Sequence, residues 1–335
     1  MAERGVTAPK SYWEGRNVLV TGANGFLGSW VSKRLVEEGA NVICFIRDTL
    51  PRSFLNLSGT TDKVVVAFGT LEDYFSVERV FNEFEVDFCF HLAAQAIVGT
   101  AERFPLSTYD SNIRGTWNVL EGARRNSRVR GLVLASSDKV YGSKEKLPYT
   151  EEDSLGGLNP YDVSKVCADL LAQSYFHTYR VPVAIARSGN FYGPGDLNFS
   201  RVVPETIRYL IRDESPVIRS DGSYLRDYFY VEDAAEAFLT LGASLSKETV
   251  KGQAFNFGTG VPTPVLDVVN QLIALSGKKQ IKPVILNQAA HEIKAQYLSC
   301  RKAQELLGWR HATDLKKGLA KSYSWYEDFF SKDGS

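Results

Sequence analysis

The chain has 335 residues, enough to bury a large core and to hold about two lobes. Lysine plus arginine equals aspartate plus glutamate at 39 each, so nothing asks for a nucleic-acid or anionic-membrane partner. The apolar share is 44%, ordinary for a soluble globular protein, with no apolar run of ~18 residues to span a membrane.

Residues 1 to about 12 carry no periodic pattern and read as a loose leader without the order of a secretory signal. Asn17–Thr21 reads as a short buried strand, followed by the loop Gly22–Gly28 and an amphipathic helix to about Glu38 that Gly39 stops. Val42–Ile46 is a second strand, so residues 17–46 form one β-α-β unit. The rhythm continues with strand Val64–Phe68, helix Ser76–Phe84, strand Asp87–Leu92 and a long helix from about Pro105 to Arg125. Strand Leu132–Ala135, a helix from about Pro160 to Tyr179 and strand Val183–Ala186 complete it. Such alternation predicts an α/β fold: a doubly wound parallel sheet of Rossmann type with helices on both faces.

After Arg187 the pattern becomes irregular. Asn190–Asp196 reads as turns, Arg201–Arg212 as a helix, Ala254–Phe257 as a strand, and further helices end the chain. The expected division is a dinucleotide-binding domain over 1–187, joined by parts of 227–257, and a smaller substrate lobe over 188–335. Cys44, Cys89, Cys167 and Cys300 stand far apart with no C-x-x-C pair, so free thiols in a reducing, cytoplasmic compartment are expected. The sequons at Asn56 and Asn198 are then chance. His291-Glu292 begins like a zinc motif, but Ala295 replaces the second histidine and no metal is expected. Arg124, Arg125, Arg128 and Arg130 lie at a helix C-terminus, where cations complement the dipole.

The loop Gly22-x-x-Gly25-x-x-Gly28 lies between strand and helix. Gly22 permits a tight turn, Gly25 lets a pyrophosphate approach the backbone, and Gly28 lets helix and strand pack closely. The helix N-terminus offers N–H groups and positive dipole to phosphates. At the end of the second strand a carboxylate would bind a ribose 2′-hydroxyl and a guanidinium a 2′-phosphate. Arg47 and Asp48 stand there together. NAD is favoured through Asp48, with NADP open through Arg47. His91 reads as structural.

Two further stretches carry chemistry. Ser137-Asp138-Lys139 leaves the carboxyl end of a buried strand, and Tyr161 and Lys165 sit four residues apart on one helix face. An ammonium near a phenol favours the phenolate; moving that pKa from ~10 toward ~7 takes about 4 kcal/mol. With a serine sharing the proton, the set suits taking a proton from a sugar or alcohol hydroxyl while hydride leaves the same carbon.

With Thr21-Gly22, His91-Leu92-Ala93-Ala94-Gln95, Tyr161-x-x-x-Lys165, Asn190–Gly195 and Arg226-Asp227-Tyr228 in place, the chain resembles the extended short-chain dehydrogenase/reductase superfamily, among its nucleotide-sugar epimerases and dehydratases. Its nearest likeness there is to CDP-glucose 4,6-dehydratases, carried by Tyr12–Arg16, Gly25–Trp30, Ser137-Asp138-Lys139, and His291-Glu292 ahead of Tyr297–Cys300. The resemblance implies a cofactor set of Gly22, Asn24, Gly25, Phe26, Leu27, Gly28, Arg47, Asp48, Leu71, Leu92, Ala93, Ala94, Gln95 and Asn112, with Tyr161 and Lys165. It implies a nucleotide-sugar substrate, CDP-hexose favoured, touching Gln95, Asn190, Arg201 and Arg226, the last three at the diphosphate.

The implied roles are Tyr161 as base for the sugar 4-hydroxyl, Lys165 on the nicotinamide ribose, and Ser137 sharing the proton. Asp138 would be the acid for the 6-hydroxyl and Lys139 the C5 base, a task that asks for a desolvated amine. A dTDP-glucose dehydratase usually has glutamate where Lys139 stands, and simple 4-epimerases tend to have small residues at both positions. Gly69-Thr70-Leu71 departs from the Gly-Asp that relatives carry near the adenine, and Tyr192–Gly195 has the general superfamily form, so the second lobe fixes neither base nor sugar. A homodimer through helices 105–125 and 160–179 is expected. The expected activity is an NAD-dependent 4,6-dehydratase. A 4-epimerase with the same triad is the alternative, and a non-catalytic nucleotide-bound scaffold a third reading, which the intact Ser137, Tyr161 and Lys165 oppose.

Overall fold

The protein is described here by a computed structural model over residues 11–288 and 293–333. The first lobe runs β1 (Asn17–Thr21), α1 (Phe26–Glu37), β2 (Asn41–Ile46), α2 (Phe54–Leu57), β3 (Val65–Phe68), α3 (Tyr74–Glu83) and β4 (Phe88–His91). It continues through α4 (Val98–Arg103), α5 (Pro105–Tyr109), α6 (Gly115–Arg125), β5 (Gly131–Ala135), α7 (Pro160–Tyr179) and β6 (Val183–Ser188). Then follow β7 (Asn190–Tyr192), α8 (Val202–Ile211), β8 (Val217–Ile218), β9 (Leu225–Tyr230), α9 (Val231–Ser244) and β10 (Ala254–Phe257). Last come β11 (Pro262–Pro264), α10 (Val265–Leu275), β12 (Val284–Ile285), β13 (Ala295–Gln296), α11 (Arg301–Leu307) and α12 (Leu315–Asp333).

The main sheet has seven parallel strands in the order β10-β6-β5-β4-β1-β2-β3. Its central strands are apolar on both faces because helices cover both. Val18 and Val20 of β1 pack toward α1 and α9, while Leu19 packs into the layer of α3, α6 and α7. The chain order reverses between β4 and β1, and the crevice at such a switch point is where an open α/β sheet binds its ligand. β10 and α9 come from beyond residue 188 yet belong to this lobe, β10 as the edge strand on β6 and α9 packed on α1.

The second lobe is built on β9, which pairs with β7, β11 and β13, and on a core of Tyr192, Ile207, Tyr230, Leu272 and Tyr326 from β7, β9, α8, α10 and α12. Tyr323 and Tyr326 of α12 are buried in this core, and Trp325 and Phe330 pack against it. Among the described residues no helix is long and apolar enough to cross a membrane. Cys44, Cys89 and Cys300 are buried free thiols and Cys167 is half-buried.

Three expectations need correcting. The helix expected over 105–125 is broken: a π-turn at Asp110–Arg114 separates α5 from α6. The extra residue turns Asn112 inward, where its side chain holds the Gln95 backbone. The segment read as turns begins with a strand, because Asn190, Phe191 and Tyr192 pair with Tyr228, Phe229 and Tyr230; the turn starts only at Gly193. Element ends shift by a residue or two, as α3 shows in starting at Tyr74, where Asp73 caps it. The leader up to residue 10 and His291-Glu292 lie outside the described residues.

Candidate active site

The loop after β1 meets the loop after β4 at the switch point. Gly22 has φ +68°, and a Cβ there would lie 2.7 Å from the Ala93 Cα, so only glycine lets these loops touch. A Cβ on Gly28 would stand 2.1 Å from the Gly22 carbonyl oxygen, which is the close helix–strand contact that this glycine permits. Gly25 caps α1 without a side chain, leaving the N-terminal N–H groups of the helix directed at the crevice. The result is a cleft of about 450 Å³ whose walls include Gly22, Asn24–Gly28, Arg47, Asp48, Leu71, Leu92–Gln95, Tyr161 and Lys165. Its glycine cradle and free helix terminus fit the pyrophosphate of a dinucleotide.

Asn112 is the one member of the expected cofactor set that is not on the wall. It is 2% exposed and acts from behind. Its Oδ1 accepts from the Gln95 N–H at 2.7 Å, and its Nδ2 donates to the Gln95 carbonyl at 3.1 Å and to Ser164 Oγ at 2.8 Å. Ser164 in turn donates to the Tyr161 carbonyl at 2.6 Å. Gln95, expected also at the substrate, lines only the cofactor cleft, and its Oε1 accepts from the Ile97 N–H.

His91 is structural. Thr21 Oγ1, which accepts from the Leu92 and Ala93 N–H groups, lies 2.8 Å from His91 Nδ1, and His91 Nε2 lies 3.1 Å from Thr116 Oγ1. Burial pushes His91 down to about 3, with the charge of Lys165 acting the same way, so the ring is neutral.

At the end of β2, Arg47 Nε donates to Asp48 Oδ2 at 2.7 Å, and both side chains are largely exposed on the cleft rim. The sequence reading missed Glu72. It lines the cleft beside Arg47 and accepts from Ser111 Oγ and Thr70 Oγ1. These bonds, with the Arg47 charge, outweigh burial and hold its carboxyl below the usual range. An acidic residue three positions past Gly69 was the available signal.

The residues expected to be catalytic gather where the cleft opens into a second cavity of about 440 Å³, lined by Ser137, Lys139, Tyr161, Asn190, Arg201 and Arg226 among others. Ser137 leaves β5 and accepts from the Lys139 N–H, opening a single turn of 3-10 helix. Lys139 Nζ reaches Asp138 Oδ1 at 3.5 Å and Asn190 Oδ1 at 3.4 Å. Asp138, expected to face the sugar, is instead 1% exposed beneath these residues, and its Oδ1 accepts from Ser137 Oγ at 3.1 Å. The turn that brings Lys139 to the cavity directs its neighbour inward, so Asp138 communicates with the cavity through Ser137 and Lys139.

A second correction concerns Tyr161. Lys165 Nζ donates to the Ala135 carbonyl at 2.8 Å, and burial lowers its pKa to about 8. Burial likewise pushes Tyr161 up to about 12, although the Ser137 side chain and the Arg201 charge pull it down. Sharing a helix face with an ammonium therefore does not ionise this phenol, because desolvation is the larger effect.

Of the expected diphosphate contacts, Arg201 is held by Asp196, its Nη1 3.0 Å from both carboxylate oxygens, and Asn190 is held by Lys139. Arg226 donates through Nη1 to the Leu225 and Lys294 carbonyls. Asp227 faces away, accepting from the Thr259 and Gly260 N–H groups and from Thr259 Oγ1.

Comparison with known proteins places this geometry. The chain is 30% identical to CDP-glucose 4,6-dehydratase of Salmonella typhimurium, over 95% of this chain and 92% of that protein. It superposes on the solved UDP-glucose 4-epimerase of Thermotoga maritima with a TM-score of 0.86 and 29% identity, covering 94% of this chain and 99% of that one. With the dTDP-glucose 4,6-dehydratase of Bacillus anthracis, solved in complex with NAD, the TM-score is 0.82 and the identity 27%, covering 94% of this chain and 97% of that one. The family model of NAD dependent epimerases and dehydratases matches residues 18–258, which takes in the glycine loop, the Ser137 turn, Tyr161 and Lys165, and the chain belongs to that family.

Proposed function

We propose that this protein is an NAD-dependent nucleotide-sugar 4,6-dehydratase that converts an NDP-hexose, with CDP-glucose the first substrate to try, into the 4-keto-6-deoxy sugar and water. The observation that carries the reading is the placement of Lys139. Its Nζ lies on the wall of the same cavity as Ser137 and Tyr161, with the Asp138 carboxyl 3.5 Å behind it. A C4 redox exchange needs only Ser137, Tyr161 and Lys165; a second acid/base pair beside them suits an elimination. Likeness to CDP-glucose 4,6-dehydratase supports the choice of nucleotide.

NAD held in the cleft would supply reversible hydride acceptance between C4 and C6 of the sugar, leaving no net oxidation. Gly22–Gly28 would hold its pyrophosphate and Asp48 its adenosine ribose. Tyr161 would take the proton of the 4-hydroxyl as its phenolate, a form that burial opposes and that needs more positive charge beside the ring than Lys165 alone supplies, with Ser137 sharing the proton. The resulting ketone acidifies C5–H, and Lys139 as the neutral amine removes that proton. The C6–O bond breaks as electrons move into the C5–C6 double bond, and the hydroxyl leaves as water with a proton supplied from Asp138 by way of Ser137. Lys139 would then return its proton to C5, restoring the neutral amine. Atoms balance as substrate equals product plus water.

The outer surfaces of α5, α6 and α7 expose Leu106, Trp117 and Leu170, which supports a homodimer through these helices. The second reading is a 4-epimerase, favoured by the solved epimerase on which the chain superposes. Incubation with NAD and CDP-, dTDP-, UDP- and GDP-glucose separates the two. The ultraviolet absorbance that a 4-keto-6-deoxy sugar develops in alkali supports the dehydratase, and a C4-inverted hexose in its place overturns it.

A further inference from the structure

Among the described residues, four buried side-chain atoms have no hydrogen-bond partner: Asp138 Oδ2, Ser188 Oγ, Tyr228 Oη and Gln296 Nε2. Buried polar groups are nearly always paired, so each exception calls for a reason. Ser188 and Tyr228 are only 3% and 6% exposed, yet both line the second cavity.

Their places in the sheets show which part of a ligand they meet. Ser188 ends β6, the strand beside β5, which leads into Ser137. Asn190 follows two residues later and pairs in register with Tyr228 across β7 and β9. Ser188, Asn190 and Tyr228 thus form a polar row. Lys139 is joined to it through Asn190, and Arg226 stands two residues before Tyr228 on the same strand face. The segment is laid close on β9, since a Cβ on Gly189 would come within 3.2 Å of the Asp227 carbonyl oxygen. One end of the row is the reacting centre, and the other is the arginine expected at the diphosphate. What lies between them in a nucleotide sugar is the hexosyl ring.

The chemistry agrees. A guanidinium already stands at the diphosphate end for anionic oxygens, whereas a neutral hydroxyl donates and accepts at once and so matches a ring hydroxyl that does the same. We propose that Ser188 and Tyr228 are specificity residues that hydrogen-bond the hexosyl hydroxyls of the substrate. This rests on the nucleotide-sugar part of the function proposed above and is independent of dehydration or epimerisation.

Ser188→Ala and Tyr228→Phe test it by calorimetry on the full-length protein with NAD present. The probes are CDP-, dTDP-, UDP- and GDP-glucose and the matching free nucleoside diphosphates. Each variant should weaken binding of the glucose nucleotide about tenfold or more, the effect of one lost hydrogen bond, and leave the free diphosphate within about twofold. The ligand-free variants should melt no lower than the parent, because each loses an unpaired buried hydroxyl and no bond. Equal affinity of parent and variants for the glucose nucleotide overturns the inference, as does equal weakening of both probes or a fall in the ligand-free melting temperature. If the parent binds none of the four sugars, the nucleotide-sugar reading itself falls.

Discussion

Asp169 on α7 receives Arg187 of β6 through two bonds, from Nε at 2.8 Å and from Nη2 at 2.9 Å, with both side chains buried. Asp169 lies four residues beyond Lys165 and eight beyond Tyr161, on the same helix face. Ser136 Oγ donates to the same carboxylate at 3.1 Å, one residue before Ser137. One carboxylate therefore fixes the helix that carries Tyr161 and Lys165 to the strand end that carries Ser137. Replacing Asp169 by Ala leaves a buried guanidinium without its counter-charge, and urea unfolding should show a loss of about 3–5 kcal/mol. The double variant Asp169→Leu with Arg187→Met should recover most of it. A single-variant loss below about 1 kcal/mol, the scale of an exposed pair, contradicts this account.

Lys165 carries a cost in stability. Its folded pKa of about 8 lies below the ordinary 10.5, so between those values the unfolded chain holds a proton that the folded chain has released. Stability from this group therefore rises with pH across that window, and below pH 8 the full penalty of up to about 3 kcal/mol is present. Lys165→Met should be more stable than the parent at pH 7, lose that advantage by pH 10.5, and be inactive. Denaturant midpoints at pH 7, 9 and 10.5 check the sign.

His91 works in the opposite pH range. Its folded value of about 3 lies below the ordinary 6.5, so the unfolded state takes up a proton first as pH falls. Its contribution is complete above pH 6.5 and declines toward pH 3. Burial raises Asp162 to about 6, which acts with the opposite sign, so the informative quantity is the difference between parent and His91→Gln. That difference should shrink by about 2 kcal/mol between pH 6.5 and pH 5 in urea titrations. A constant difference means that the folded state protonates His91 normally.

Lys139 and Asp138 should separate kinetically. Lys139 lines the cavity, so Lys139→Ala should lower kcat for dehydration by about a hundredfold or more and alter KM as well. Asp138 acts through Ser137, so Asp138→Asn should lower kcat on a similar scale while KM stays within about threefold. Full dehydration by Lys139→Ala would remove that residue from the mechanism.

The subunit contact is also testable. Leu106 and Leu170 are 79% and 52% exposed, and a homodimer through these helices would cover them. Light scattering should give a dimer of the 37.3 kDa chain. Leu170→Glu should give a monomer with an unchanged melting transition. A monomeric parent protein ends the proposal.

The sequence by itself determined the parallel sheet, the close glycine loop after β1 and the pairing of Tyr161 with Lys165 on one helix face. Each is written in local terms: strands apolar on both faces, glycines at positions a Cβ cannot occupy, and a tyrosine and a lysine one helical turn apart. What it left open depends on contacts between distant segments. The break in the helix over 105–125 comes from Asn112 bonding the backbone at Gln95, and the strand at Asn190 from pairing with residues near 228. Helical spacing put Lys165 one turn from Tyr161, but only the packed interior decided that desolvation raises the phenol and lowers the amine. The same holds for Asp138: its neighbour Lys139 was readable as its partner, whereas which of the two reaches the cavity followed from the turn after β5 and the strand it meets at Asn190.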